Sequence, residues 1–446
     1  MKRKDLILTI AMLLIVALPT NVVALDRAKC RNEVLSNSRG YYKEIFMDGG
    51  ISLTSRRSLP AAPFLGIEME YFASAKEATK TDTLRQHKIF CGYEDDTNGW
   101  LLYPDGAPRF RMIYVNGGKA APHARSFGND GADGFKALND FVKAGGSYLG
   151  TCAGAYVASK GGYTMQSNSV RNVGIYWNLW PGFTHTTRLR KSFTSMMLDR
   201  KSPLLRYFDF GGDMKVDSVR HNGGCFAYDG GAEGLPRKTE PLARYGFKDN
   251  DKVKINGKAA VWAYKEDEQH GRVILCGSHP ESIAQGERVE FMSAMVLYAM
   301  DGNPAPKVKG QLKEGVVREM NKRTEDNDPA YTRIGDRQYH HFEIEIPRNC
   351  NRAVVYLDGY EDARNFDLSV LAKRGELAFH DNTLTKVVSR GCKKRLIINK
   401  PKAGIWYVSV FCETTVIAHT GKYGTYYQGK REVLNGVPYS ISVKYE

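Results

Sequence analysis

The stretch GGSYLGTCAGAYVASKGG, residues 145–162, sets one cysteine, Cys152, between small residues where an apolar run stops and a helical pattern begins. Just upstream, RFRMIYVNGG (109–118) reads as a strand ending in two glycines. GADGFKALNDFVKAGG (131–146) then spaces Phe135, Leu138, Phe141 and Val142 for one helix face and stops on Gly145 and Gly146. SYLGT is a second short strand and AGAYVASK a second helix. Strand, helix, strand, tight turn, helix is the order of an open α/β sheet, in which reacting groups collect at the carboxyl ends of strands. The alternation runs from about residue 40 to 302. KAAVWAYKED (258–267) and GRVILCGSHPE (271–281) are two consecutive strands, and RVEFMSAMVLYAM (288–300) is a closing amphipathic helix.

A residue in a sharp strand-to-helix turn points outward and needs small neighbours, which Gly150, Ala153, Gly154 and Ala155 supply. The following helix would aim its amino-terminal dipole at the sulfur, favouring thiolate and a developing oxyanion. A thiol nucleophile needs a base, an orienting group and oxyanion donors. His279 in GSHPE is the expected base, just past a strand; His123, His185 and His221 compete for that role. Glu281 lies two residues on, on the same side of an extended chain stiffened by Pro280, and is expected to orient the imidazole. The donors are the amide of Ala153 and the backbone of Gly117 or Gly118, where missing side chains let the main chain approach a carbonyl. Each residue also has a plainer reading: Cys152 as core packing, His279 as a strand cap, NGG (116–118) as an ordinary turn.

Outside this region the chain changes character twice. Residues 1–24 carry Lys2, Arg3 and Lys4 before the apolar run LILTIAMLLIVALP, and VVA (22–24) offers small residues for cleavage, so a secretory signal peptide is expected, with secretion or an envelope location. From 303 to 335 prolines and alternating charges suit a linker with one helix. From 336 to 446 the period becomes two: HHFEIEIP, RAVVYLDG, FDLSVLAKRG, RLIINKP, GIWYVSVF and YSISVKYE are strands set between turn residues, the pattern of a β-sandwich. The expected fold is thus an α/β flavodoxin-like domain over 25–302 followed by an all-β sandwich.

The 446 residues, 42% hydrophobic, suffice for two or three cores. The formal charge of +15 is dispersed, with TRLRKS (187–192) and GCKKRL (391–396) the densest clusters; without a nucleic-acid motif they read as solvated surface, and no nucleic-acid partner is expected. Eight cysteines are too few for a disulfide scaffold. Cys350 with Cys392 or Cys412 is a plausible bridge, and Cys276 is expected as a small buried hydrophobe. The acidic DGYEDARNFD (358–367) reads as a solvated loop in preference to a calcium site. No metal and no cofactor are expected.

YLGTCAGAY with GSHPE resembles the class I glutamine amidotransferase-like superfamily, whose Cys-His-Glu triad sits on a flavodoxin-like sheet. FVKAGGSYLGTCAGAYVAS, YVNGG, HNGGCFAYDGG and GRVILCGSHPE more closely resemble the amidotransferase-like domain at the amino terminus of biotin-protein ligases. The resemblance covers about residues 40–302 and implies Cys152, His279 and Glu281 as the triad. Glutamine-hydrolysing members usually carry Gln or His where this chain has Tyr156, a substrate-pocket position, so a small-molecule amide other than glutamine, or a peptide, is the expected partner. HHFEIEIP, NFDLSVLAKRG and KAGIWYVSVF resemble the bacterial pre-peptidase C-terminal domain, which implies an accessory module and cell-surface attachment through 336–446. Together these readings lead to an exported thiol hydrolase acting on an amide, with a non-catalytic ligand-binding or surface-attached protein as the alternative.

Overall fold

The computed structural model describes residues 26–37, 40–48, 59–72, 99–126, 133–164, 167–230, 234–421 and 424–446. The expected signal segment lies outside the described residues. The central sheet has nine strands. Its parallel half is built from β1 (Lys43–Asp48), β2 (Met69–Phe72), β3 (Phe110–Val115) and β4 (Ser147–Thr151), with a later strand, Val273–Cys276, beside β4. The spatial order of these five, second-first-third-fourth-fifth, is that of a flavodoxin-like sheet.

The other half departs from that pattern. Four more strands continue the sheet, all antiparallel to their neighbours: Ala259–Tyr264, Thr239–Gly246, Ser192–Leu198 and, at the edge, Lys215–His221. The flavodoxin-like expectation therefore describes only half of the sheet. A separate four-stranded sheet holds β5 (Ser159–Thr164), β6 (Ser167–Arg171), β7 (Trp180–Thr186) and Cys225–Ala227. Cys225–Ala227 is buried and apolar but only three residues long, and the other three strands are interrupted by polar or exposed positions and lack a continuous apolar run.

Strand β3 explains how the centre is filled. It is buried at every position, so its residues alternate between two cores: Ile113 and Val115 face the helix Asp133–Lys143, whereas Met112 and Tyr114 face the helix Glu287–Met300. Arg109, just before this strand, and Arg111, within it, are buried as well. Arg111 donates to the carbonyls of Val34 (2.9 Å) and Met300 (3.1 Å), tying two helices to the sheet.

The C-terminal region is β-rich, with a five-stranded sheet, a four-stranded sheet and a hairpin of Val416–Gly421 with Gly424–Gly429. The stretch 303–335, expected as a linker, contributes to both sheets. Val308–Gln311 pairs with Tyr339–Ile346, and Arg318–Met320 pairs with Tyr439–Tyr445. A 3-10 turn, Thr324–Asp326, stands where a helix was expected. The alternating charges there belong to short edge strands, whose outer faces are solvated.

One continuous apolar core joins Phe46, Trp100 and Phe110 of the first region to Val416, Ile441 and Val443 of the second. Across it, Arg109 makes a two-pronged ion pair with Asp336; Nη2 lies 3.1 Å from Oδ2, and both side chains are almost wholly buried. The Arg109 guanidinium also lies 4.2 Å from the Trp100 ring centre and 4.7 Å from that of Tyr42.

The expected Cys350 bridge is absent: seven cysteines are free among the described residues. Cys392 and Cys412 are each buried and turned to nearby carbonyls, of Ala363 and Phe366 and of Thr414, while Cys350 lies in the turn before Arg352–Gly359. Cys276 is fully buried, as expected.

Candidate active site

Three neighbouring parallel strands end at the same height, and their exits supply the site. In register, Val115 of β3 faces Gly150 of β4, and Thr151 faces Cys276 of the strand beyond. The next residues of each chain segment are therefore brought together: Gly117 and Gly118 after β3, Cys152 after β4, His279 and Glu281 after Val273–Cys276. The amide of Cys152 donates to the carbonyl of Cys276 at 2.8 Å, which pins the turn to its neighbour.

Cys152 has φ 48° and ψ −102°, a conformation that non-glycine residues rarely hold. Gly154 makes the turn possible, since a Cβ there would stand 2.1 Å from the Val115 carbonyl oxygen. The helix that follows, Ala153–Ala158, is only six residues long. The amide of Ala153 opens its first turn directly after the thiol, and a helix this short carries only a small dipole.

His279 and Glu281 share a hydrogen bond of 3.0 Å between Nδ1 and Oε1. Both are mostly shielded, with side chains 16% and 8% exposed. Burial opposes a charged imidazole, but hydrogen bonds with Cys152 and Glu281 and the charges of both outweigh it, and the pKa of His279 is pushed up to about 10. The imidazole is thus protonated at neutral pH and presents a donor toward the sulfur. The His279 amide donates to the Arg220 carbonyl at 2.9 Å, fixing the backbone beneath the ring.

Gly117 closes the arrangement from above. A Cβ at this position would meet His279 Cε1 at 2.2 Å and Cys152 Cβ at 3.3 Å, so the main chain of the NGG turn lies directly on both side chains. Gly118 lines the open cleft.

Sequence reasoning missed Thr151 and Tyr114. The Thr151 hydroxyl bridges Glu281 Oε1 and the Tyr114 hydroxyl, each at 3.1 Å, and so steadies the carboxylate from below. Thr151 immediately precedes Cys152; strand alternation alone directs its side chain away from the face used by Cys152, and that was the available signal.

The competing histidines are occupied otherwise. His221 lies between Thr187 Oγ1 (2.6 Å) and Ser278 Oγ (2.7 Å), and burial, with the charge of His279, lowers its pKa to about 3. His185 stacks on Phe226 and Tyr228. His123 packs against Trp177 in the core.

A cleft of about 660 Å³ opens beside Cys152, a size suited to a small molecule. Tyr156 lines it, with its hydroxyl turned onto the Gly224 carbonyl at 2.9 Å. Gly224 is itself close-packed, since a Cβ there would fall 1.6 Å from the Gly277 carbonyl oxygen. Among the described residues no cluster of side chains could hold a metal ion, and no helix is long and apolar enough to cross a membrane.

Residues 107–301 match the family model described as biotin-protein ligase, N terminal. The chain is also similar to a biotin-protein ligase of Schizosaccharomyces pombe, at 27% identity over 191 residues, 40% of this chain. It spans only 26% of that relative's length. Among solved structures it is similar to a glutamine amidotransferase (14% identity, TM-score 0.33) and to PurLQS from Thermotoga maritima (13% identity, TM-score 0.33). Each covers 57% of this chain and 98% of its own. The family match ends at residue 301 and does not reach the C-terminal sheets, for which the pre-peptidase resemblance gains no support. It also overturns the expectation of an exported thiol hydrolase acting on an amide, because the matching family is that of biotin-protein ligases.

Proposed function

We propose that residues 107–301 form a cysteine-dependent acyl-transfer unit whose role is related to that of biotin-protein ligases. The observation that carries this reading is the grouping of Cys152, held at positive φ, with the His279 imidazole, which is hydrogen-bonded to the Glu281 carboxylate and lies under the backbone of Gly117. The attacking form is the thiolate, with the thiol proton taken up by His279 Nε2.

The chemistry follows from those groups. The Cys152 sulfur forms a bond to a carbonyl carbon, and the oxygen takes up negative charge facing the amides of Ala153 and the NGG turn. The bond from that carbon to the leaving atom then breaks with its electron pair, and the Nε2 proton of His279 passes to that atom. A thioester remains on Cys152. An incoming nucleophile then gives its proton back to His279 as it displaces the sulfur. Glu281 keeps the ring oriented throughout.

The test is acylation by p-nitrophenyl acetate, read as a stoichiometric burst of p-nitrophenolate and as an acetyl adduct on Cys152 by mass spectrometry. Wild type should show both. Cys152→Ala should lose them, and His279→Asn should slow them at least about a hundredfold. A burst that survives Cys152→Ala, or an adduct that forms at another cysteine first, overturns the reading.

A further inference from the structure

Three arginines line the same cleft as Cys152: Arg171 at the end of β6, and Arg188 and Arg190 in the segment after β7. The last two belong to TRLRKS, which from sequence reads as solvated surface. No aspartate or glutamate lines the cleft. Among the described residues none of the three has an ion pair or a side-chain hydrogen bond, in contrast to Arg206, Lys215 and Lys258, which pair with aspartates.

The backbone around them is also unusual. Cys152 (φ 48°), Asn172 (φ 63°) and Arg188 (φ 58°) all line the cleft and all occupy the left-handed region. Left-handed backbone at Arg188 and Asn172 costs energy that local packing must offset, and such positions concentrate where side chains are aimed for a purpose. Arg188 also contributes, after burial, to the lowered pKa of His185 on the adjoining strand, so its charge is felt across this face.

We propose that the cleft takes an acyl substrate bearing an additional anionic oxygen group, carboxylate or phosphate, which Arg171, Arg188 and Arg190 bind while Cys152 attacks the carbonyl. This rests on the acyl-transfer reading above and adds its substrate class. The three arginines are exposed to an incoming ligand, planar guanidinium forks suit both kinds of oxyanion, and a cleft without opposing carboxylates attracts anions. The covalent step is the one already written; the arginines hold the substrate and exchange no protons.

The experiment compares alkylation of Cys152 by iodoacetate and by iodoacetamide, reagents alike except for charge. In wild type the ratio of the two rates should exceed that of the combined Arg171→Gln, Arg188→Gln, Arg190→Gln variant by about tenfold. Inorganic phosphate and succinate, tested separately as protectants against iodoacetamide, show whether phosphate or carboxylate is the preferred group. An equal ratio in the two proteins overturns the proposal. If Cys152 reacts with neither reagent, the acyl-transfer reading is what fails. The anion site is then decided by calorimetry of phosphate and succinate on Cys152→Ala: arginine-dependent binding supports it, and no binding at millimolar concentration refutes it.

Discussion

Replacing Gly117 by alanine adds one carbon where the structure has no room for it. That carbon would lie 2.2 Å from His279 Cε1 and 2.8 Å from Nδ1, whereas ordinary contact begins near 3.4 Å, so the ring must retreat by about 1.2 Å. It cannot do so freely. Its Nδ1 is tied to Glu281 at 3.0 Å and its backbone amide to Arg220 at 2.9 Å, and the new carbon has little room to move the other way, with Cys152 Cβ 3.3 Å from it. Overpacking of this kind costs about 1–3 kcal/mol, which melting should register as a fall of several degrees. A displacement on the order of 1 Å in a reacting constellation costs about a hundredfold in rate. Stopped-flow measurement of the p-nitrophenolate burst in Gly117→Ala, set beside its melting curve, checks both. A variant that acylates within twofold of wild type would refute the claim that this backbone rests on Cys152 and His279.

Three further outcomes are expected. His279 has a folded pKa near 10 against an ordinary value of 6.5, so the stability it contributes is complete below about pH 6.5 and is lost as pH rises through about 10. Melting of wild type from pH 6 to 10.5 should therefore fall more steeply than that of His279→Asn, and in Glu281→Gln the decline should begin at lower pH; parallel curves for all three would contradict the assignment. Asp336→Ala leaves Arg109 charged, buried and unpaired, and should cost about 3–5 kcal/mol in denaturant unfolding, whereas Arg109→Met with Asp336→Leu should cost far less. Thr151→Val removes the hydroxyl that joins Tyr114 to Glu281, and should lower stability by about 1 kcal/mol and acylation by less than about tenfold, read in the same burst assay.

How much of this could be read in advance differs by element. The turn at Cys152 was legible because small residues on both sides of one thiol, between a strand and a helix, leave few conformations to choose from. His279 and Glu281 were legible from their place two residues apart just past a strand. That they meet Cys152 depends on strand pairing across more than a hundred residues, which only the register of Thr151 with Cys276 reveals. Of the antiparallel half, Ala259–Tyr264 was anticipated, whereas Ser192–Leu198, Lys215–His221 and Thr239–Gly246 were missed because polar residues interrupt them and none has a buried apolar run like that of Val273–Cys276. The supposed linker misled for a related reason: short edge strands have too few residues to display a period, and their charges resemble those of an unstructured tether. The arginines of TRLRKS are exposed, as sequence suggested; that Arg188 and Arg190 border the cleft beside Cys152 depends on the fold and was not legible.

The Arg109–Asp336 pair has a bearing on how this chain can be reused. Its two partners are 227 positions apart, and the hydrophobic layer around them draws on both ends of the polypeptide. A fragment trimmed to the boundaries of the family match would begin with a charged guanidinium in an opened apolar wall and would present Trp100's former neighbours to solvent. Grafting the thiol site onto another protein therefore requires transplanting the C-terminal sheets with it, or redesigning the wall they cover.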